Sequence, residues 1–243
     1  MKKLIAALTV GLLSIGIFAG EAQIDFSKLP PEDFMAYSRG RMTVQNSFAD
    51  LRGKATHLRR NRGGAGYYQV RFLVRFNKAV QARIIVNDNE MHELVKDYRA
   101  GYKNVKSNVA ADKSILHSVG FKVEDLTMDF LDYPVKGEFA AERVKTVDCR
   151  VMLLQNSKTG EQVKVWISKE YLFPLKAEFF AKDSNVNGKP LRSLEITGFE
   201  KVDDYYVATE ISLFSPQFRT RIGFSECRVY KADSPEAKAQ FGN

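Results

Sequence analysis

Residues Val163–Phe180 read V-K-V-W-I-S-K-E-Y-L-F-P-L-K-A-E-F-F. Apolar and charged residues alternate up to Ser168, pause at Ser168-Lys169-Glu170, and alternate again from Pro174. Successive side chains of a strand point to opposite faces, so the stretch reads as a hairpin with one oily face. That face carries Val163, Val165 and Ile167, then Leu175, Ala177 and Phe179. None of these can act as acid, base or nucleophile, so the question is what the face looks at.

The pattern continues on both sides. From Val144 onward the chain reads as a meander, with strands expected at 146–155, 162–168, 174–181, 191–201, 205–214 and 218–230. The breaks carry turn residues: Ser157-Lys158-Thr159-Gly160, Asn185-Val186-Asn187-Gly188, Val202-Asp203-Asp204 and Ser215-Pro216-Gln217. Connections this short join antiparallel neighbours. Upstream, Tyr68, Val70, Phe72, Val74 and Phe76 alternate with Gln69, Arg71 and Arg75. Ala82–Val86 is a further short strand, residues 41–46 alternate like one, and 54–60 do so more weakly. Pro30-Pro31-Glu32-Asp33 starts a helix. Asp112–Gly120 reads as a helix with an Asp cap and a Gly stop, and 122–130 as a further helical turn or two.

About ten strands in one antiparallel meander tend to curl, split or close. Leu194, Ile196, Val207, Ile211, Leu213, Phe218, Ile222 and Phe224 add to the same apolar side. A face of that size needs cover, and only a few short helices are on offer. A closed small barrel would fill itself with side chains. A half-open one, with helices across its mouth, would enclose an apolar cavity. Periodicity alone leaves both open.

Motifs for chemistry are missing. His57, His92 and His117 lack metal-ligand spacing to one another or to a Cys. There is no G-x-S-x-G elbow. Gly63-Gly64-Ala65-Gly66 has no Walker lysine and reads as a hairpin turn. Asp125 and Asp129 share a helix face, read as solvated. No metal or other cofactor is called for. The densest basic run, Arg52, Lys54, Arg59, Arg60 and Arg62, would steer toward an acidic partner or a lipid phosphate, or would protect an edge strand by charge.

The chain begins M-K-K, followed by the uncharged run Leu4–Ala19 and Gly20-Glu21-Ala22. This is the layout of a secretory signal peptide, with cleavage expected before Gln23. The run is shorter than the ~20 residues a spanning helix needs. With no Cys near the cut, no lipid anchor is expected there. The reading is therefore a signal peptide over 1–22 and one exported domain over 23–243. The formal net charge of +8 suggests an anionic partner, and export argues against nucleic acid.

Val165-Trp166-Ile167-Ser168-Lys169-Glu170, followed by Leu172-Phe173-Pro174-Leu175-Lys176-Ala177-Glu178-Phe179, resembles the W-I-D-K-E-T-x-L-P-L-K-x-E-Y hairpin of outer-membrane lipoprotein-sorting proteins, the LolA-like and LolB-like superfamily. Leu194-Glu195-Ile196 with Phe199, Val202-Asp203-Asp204-Tyr205-Tyr206-Val207-Ala208-Thr209-Glu210-Ile211, Thr220–Ser225 and Gly40–Val44 fit the same pattern. The match is specific over 144–230 and loose over 77–116, and Ser168 stands where the family has Asp.

The resemblance implies a mainly β fold. A curved antiparallel sheet would form an unclosed half-barrel, covered on its concave face by short helices. It implies a periplasmic, non-enzymatic carrier in a Gram-negative-type envelope, monomeric, holding acyl chains of lipoproteins or other lipids and meeting an inner-membrane exporter or an outer-membrane acceptor. The residues expected to line the cavity are Met42, Val44, Val70, Phe72, Val74, Leu175, Phe179, Ile196, Ile211, Ile222 and Phe224, with Ile115, Leu116 and Val119 on the lid. The alternative is an envelope protein-interaction or stress-sensing module on the same fold, with a filled core and no lipid.

Cys149 and Cys227 fall on the first and last strands of the meander. At ~4.8 Å per strand step they lie far beyond the ~7 Å that a disulfide allows, so two buried free thiols are expected.

Overall fold

The computed structural model describes residues 24–43, 46–60, 64–97, 100–203 and 205–242. The expected signal peptide, Val44 and Arg62 lie outside the described residues. No described helix is long and apolar enough to cross a membrane.

Twelve strands form one antiparallel sheet that does not close on itself. They are β1 (Ser47–Arg59), β2 (Ala65–Phe76), β3 (Ala79–Val86), β4 (Glu90–Asp97), β5 (Tyr102–Ser107), β6 (Val135–Val144), β7 (Val147–Gln155), β8 (Gln162–Ser168), β9 (Pro174–Phe180), β10 (Arg192–Val202), β11 (Tyr205–Phe214) and β12 (Phe218–Lys231). The spatial order is β5-β4-β3-β2-β1-β12-β11-β10-β9-β8-β7-β6. Each half is a meander, and the halves join where β1 pairs with β12. The basic strand β1 is thus central. It needs no edge protection, and that reading of its charges is set aside.

Four helices are described: α1 (Pro31–Thr43), α2 (Ile115–Ser118), α3 (Val123–Leu126) and α4 (Pro235–Phe241). The first turn of α1 carries Glu32 and Asp33, which suit the positive end of the helix. Phe34, Met35 and Ser38 are fully buried, and Ser38 Oγ donates to Leu172 O at 2.9 Å. This docking carries the helix to Thr43, so the strand expected at 41–46 is corrected over 41–43, and residues 44 and 45 lie outside the described residues. Met42 lies in the last turn of α1. Four alternating residues fit a helical period as well as a strand one, and the packing of α1 decides.

The insertion at 111–132 is a plug. A 3₁₀ turn (Ala111–Lys113) leads to α2, capped by Ser114, whose Oγ accepts the His117 N–H at 3.1 Å. The cap is Ser114 and not Asp112. Gly120, at φ 90°, stops the turn. Then come α3 and a second 3₁₀ turn (Asp129–Asp132). The plug packs Leu116, Val119, Phe121, Leu126, Met128 and Phe130 onto one face of the sheet, in the main core.

In the opening hairpin, Ser168 replaces the family's Asp without loss of the turn. Its Oγ accepts the N–H groups of Glu170 and Tyr171 at 3.3 and 3.0 Å. The register between β8 and β9 slips at Trp166/Ile167, where Ile167 faces Pro174. Leu175 therefore packs with Cys149, Val151 and Trp166 on the outer face, apart from Ala177 and Phe179 in the main core. Strict alternation placed Leu175 inside, and the bulge corrects it.

Both cysteines are free, with Cys149 buried and Cys227 partly buried. Their strands β7 and β12 stand five positions apart in the sheet.

Candidate functional site: the crevice beneath the plug

The candidate site is a crevice between the plug and the centre of the sheet, where β2, β1, β12 and β11 lie side by side. Ala49, Leu51, Phe72 and Val74 form one wall, and Val207, Ile211 and Phe224 the other. Leu126 and Met128 descend from the plug, and Phe173 from the β8–β9 turn. The wall side chains are buried. The Phe72 and Phe224 rings stack at 6.4 Å between centroids. The space within this crevice is ≈ 70 Å³, a fraction of the ~300 Å³ or more of a typical ligand pocket.

Of the residues expected on the cavity wall, Phe72, Val74, Ile211 and Phe224 line this space. Val70, Phe179, Ile196 and Ile222 are buried in the same core but do not reach the crevice. Leu116 and Val119 are buried under the sheet and Ile115 partly so, yet the plug's wall is Leu126 and Met128. The reading missed Ala49 and Leu51, although they alternate with Asp50 and Arg52 along β1, because Ala49, Gly53 and Ala55 make that apolar stripe thin. Their partners Val74 and Phe72 in the β2 register carry the signal.

Charged and polar groups fasten the plug at several points. Glu90, at the start of β4, lies 2% exposed. Its carboxylate accepts the N–H groups of Ile115 and Leu116 at 2.6 and 2.9 Å, and the Ser114 hydroxyl at 2.7 Å. The His92 ring Nε2 lies 2.7 Å from Glu90 Oε1. Burial pushes the Glu90 carboxyl up, but the hydrogen bonds from His92, Leu116, Ser114 and Ile115 outweigh it and hold it below its ordinary range. Arg192 of β10 grips Asp125 with two bonds of 2.7 and 2.8 Å. Its guanidinium sits 3.9 Å from the Phe179 ring centroid. Lys96 and Lys103 donate to Asp129 at 2.7 and 2.6 Å. Burial raises the Asp129 carboxyl, and the two lysines overcome this and lower it. Asp125 and Asp129 are thus buried latches and not a solvated face. Thr220 Oγ1 donates to Val119 O at 2.6 Å and lies 2.8 Å from His57 Nδ1.

On the outer face of β1, Arg52 and Lys54 are exposed; Arg59, exposed at the strand's end, shares the face of Ala55 and His57, and Arg60 follows the strand. Asp50 partly neutralises the patch, through Arg71 at 2.7 Å and Arg52 at 3.5 Å.

A family model described as "Uncharacterized protein" matches residues 110–235, slightly more than half of the chain. A search among curated proteins returned no match. Solved structures share the architecture. A DUF1329 family protein from Desulfovibrio piger is 17% identical, with TM-score 0.62, over 85% of this chain and 94% of that one. A domain from Vibrio parahaemolyticus, described as an outer membrane lipoprotein-sorting protein, is 15% identical, with TM-score 0.61, over 83% and 93%. A LolA superfamily protein from Nitrosomonas europaea is 13% identical, with TM-score 0.56, over 86% and 97%. At these identities the likeness speaks to the fold. The chain belongs to the family whose model spans residues 110–235, and its half-open sheet with a plugged concave face is the LolA-like fold.

Proposed function

We propose that the protein is a periplasmic, non-enzymatic carrier that holds acyl chains of lipoproteins or lipids between the sheet and the plug. The observation that carries the reading is the apolar crevice itself, walled by Phe72, Val74, Ile211 and Phe224 and roofed by Leu126 and Met128. Its lining is mostly apolar, with Ser47, Tyr205 and Tyr206 the residues that carry hydroxyls. Burial of apolar surface, at roughly 25 cal/mol per Å², suffices to hold an acyl chain. The LolA-like fold, shared with a domain described as lipoprotein-sorting, and the expected signal peptide support export and cargo binding. An acyl chain does not fit ≈ 70 Å³, so loading requires the plug to lift.

The small volume favours a second reading, an envelope interaction module whose core stays filled. Its docking surface would be the basic outer face of β1, meeting an acidic surface on a membrane exporter or regulator. Native mass spectrometry of protein purified gently from periplasm separates the two. Adducts with the mass of phospholipid, fatty acid or lipopeptide are expected for the carrier. A clean apo mass with no uptake of added acyl ligands would sink it and leave the module.

A further inference from the structure

A second cavity, of ≈ 420 Å³, opens where the plug rejoins the sheet. Its walls come from the start of β6, the β7–β8 turn and the residues just after β9. Three lysines face it: Lys136 from β6, Lys158 from the turn, and Lys182 from beyond β9. No carboxylate lines it, and none of the three lysines has an ion-pair partner among the described residues. Ser157 and Thr159 add two hydroxyls.

The turn is held rigidly. Asn156 Oδ1 accepts the N–H groups of Lys158 and Thr159 at 2.9 and 3.2 Å, and Asn156 O accepts the Gly160 N–H at 2.9 Å. Gln155 Nε2 donates to Gly160 O at 3.3 Å, and the Gln155 N–H bonds Pro134 O at 3.0 Å. Gly160 has φ 75°, and a Cβ there would lie 2.6 Å from Lys182 Cγ. The missing side chain lets the Lys182 stem cross the turn toward the cavity. The three cations are therefore brought together by the fold, from positions far apart in sequence.

We infer that this cleft is a binding site for a phosphate group carried on a small polar molecule. Three lysines lining one cleft, with the Ser157 and Thr159 hydroxyls beside them, suit a phosphate with several acceptor oxygens better than a planar carboxylate. The volume exceeds that of a bare phosphate and falls within the range of small-ligand sites. The site stands apart from the apolar crevice and does not depend on the carrier reading. Both a free phosphomonoester and a phospholipid headgroup present the chemistry it recognises.

The test is calorimetric titration of the purified protein with inorganic phosphate and with glycerol 3-phosphate, together with co-sedimentation on phosphatidylglycerol and phosphatidylcholine vesicles. Glycerol 3-phosphate is expected to bind, more weakly as salt rises. Lys158→Gln and Lys182→Gln should each weaken binding about threefold, and the double variant about tenfold, as befits exposed charge pairs. Lys78→Gln, in the β2–β3 turn away from the cleft, should change nothing. Gly160→Ala keeps every charge but displaces the Lys182 stem, and should weaken binding about as much as Lys182→Gln. Phosphatidylglycerol binding with the same lysine dependence would identify a headgroup as the source, and binding of the soluble ester alone a free metabolite. Absence of binding by phosphate, glycerol 3-phosphate and anionic vesicles would overturn the inference. Binding indifferent to the double variant, or to Gly160→Ala in a folded protein, would reduce the lysines to diffuse surface charge and overturn it equally.

Discussion

Glu90 illustrates how much one side chain decides here. It was one scattered acid in the sequence, and in the structure it receives bonds from Ile115, Leu116 and Ser114 and contacts His92. Its removal leaves buried donors without an acceptor, each costing about 1–3 kcal/mol. Glu90→Ala should therefore lower the urea midpoint by an amount equivalent to about 3 kcal/mol, with an unchanged m-value. Unaltered stability would show that water replaces the carboxylate. Gly53 is decisive for a different reason. It sits at the β1–β12 bulge, where a Cβ would fall 1.9 Å from Gly223 O. That atom is backbone and cannot swing away, so Gly53→Ala should cost about 2 kcal/mol or more, as overpacking does. At Gly137, on the edge strand, a Cβ meets nothing within 4 Å. Gly137→Ala should stay within about 0.5 kcal/mol. Equal midpoints for the two variants would mean that the bulge relaxes.

Among the elements, legibility followed burial on a single face. Strands β7 to β12 were readable almost to the residue because apolar residues alternate with polar ones along most of them, even though β7, β8 and β9 also bury part of their second face. The same holds for Tyr68–Phe76 within β2. Strands β4, β5 and β6 were missed. β4 puts polar Glu90 and His92 on its buried face, and the exposed edge strands β5 and β6 have little reason to alternate. Helix α4 was also missed, although Ser234-Pro235-Glu236 is a cap followed by a first-turn proline, and Ser234 Oγ accepts the Ala237 N–H at 3.2 Å. The plug was legible as helical but not as latched. Asp125 and Asp129 at i and i+4 look like a solvated pair, and only their distant partners Arg192, Lys96 and Lys103 reveal otherwise. These latches set a pH dependence. Glu90 and Asp129 have depressed native values, so their stabilisation is complete above the ordinary carboxylate range. It is lost as pH falls through the native values, where the unfolded chain already holds its protons. Hydrogen-exchange protection of 111–132 should therefore fall with acid before that of β8, whose residues carry no such group. Simultaneous loss in both segments would show that plug and sheet open as one unit.

For the whole molecule, the sheet and its plug form a layered structure with one apolar seam, and the seam is nearly closed. The apolar contacts along it are non-directional and could slide, whereas the latches at Glu90, Asp125 and Asp129 are discrete and sit at separate points of the sheet. Opening must break discrete bonds while exposing apolar wall, which makes the closed state the stable one without cargo. On the carrier reading proposed above, loading would then be limited by latch release and not by the affinity of the crevice. Two changes in different places test this. Arg192→Gln frees α3 from β10, and Glu90→Ala frees α2 from β4. Each should speed uptake of a fluorescent fatty acid relative to the unaltered protein, under conditions where circular dichroism shows the sheet intact. Phe72→Ala should instead leave the rate alone and alter the amount bound, because it changes the wall and no latch. If both latch variants take up the probe at the unaltered rate, the plug is not the gate. If neither takes it up at all, the seam is simply core, and the basic outer face of β1 becomes the surface to pursue.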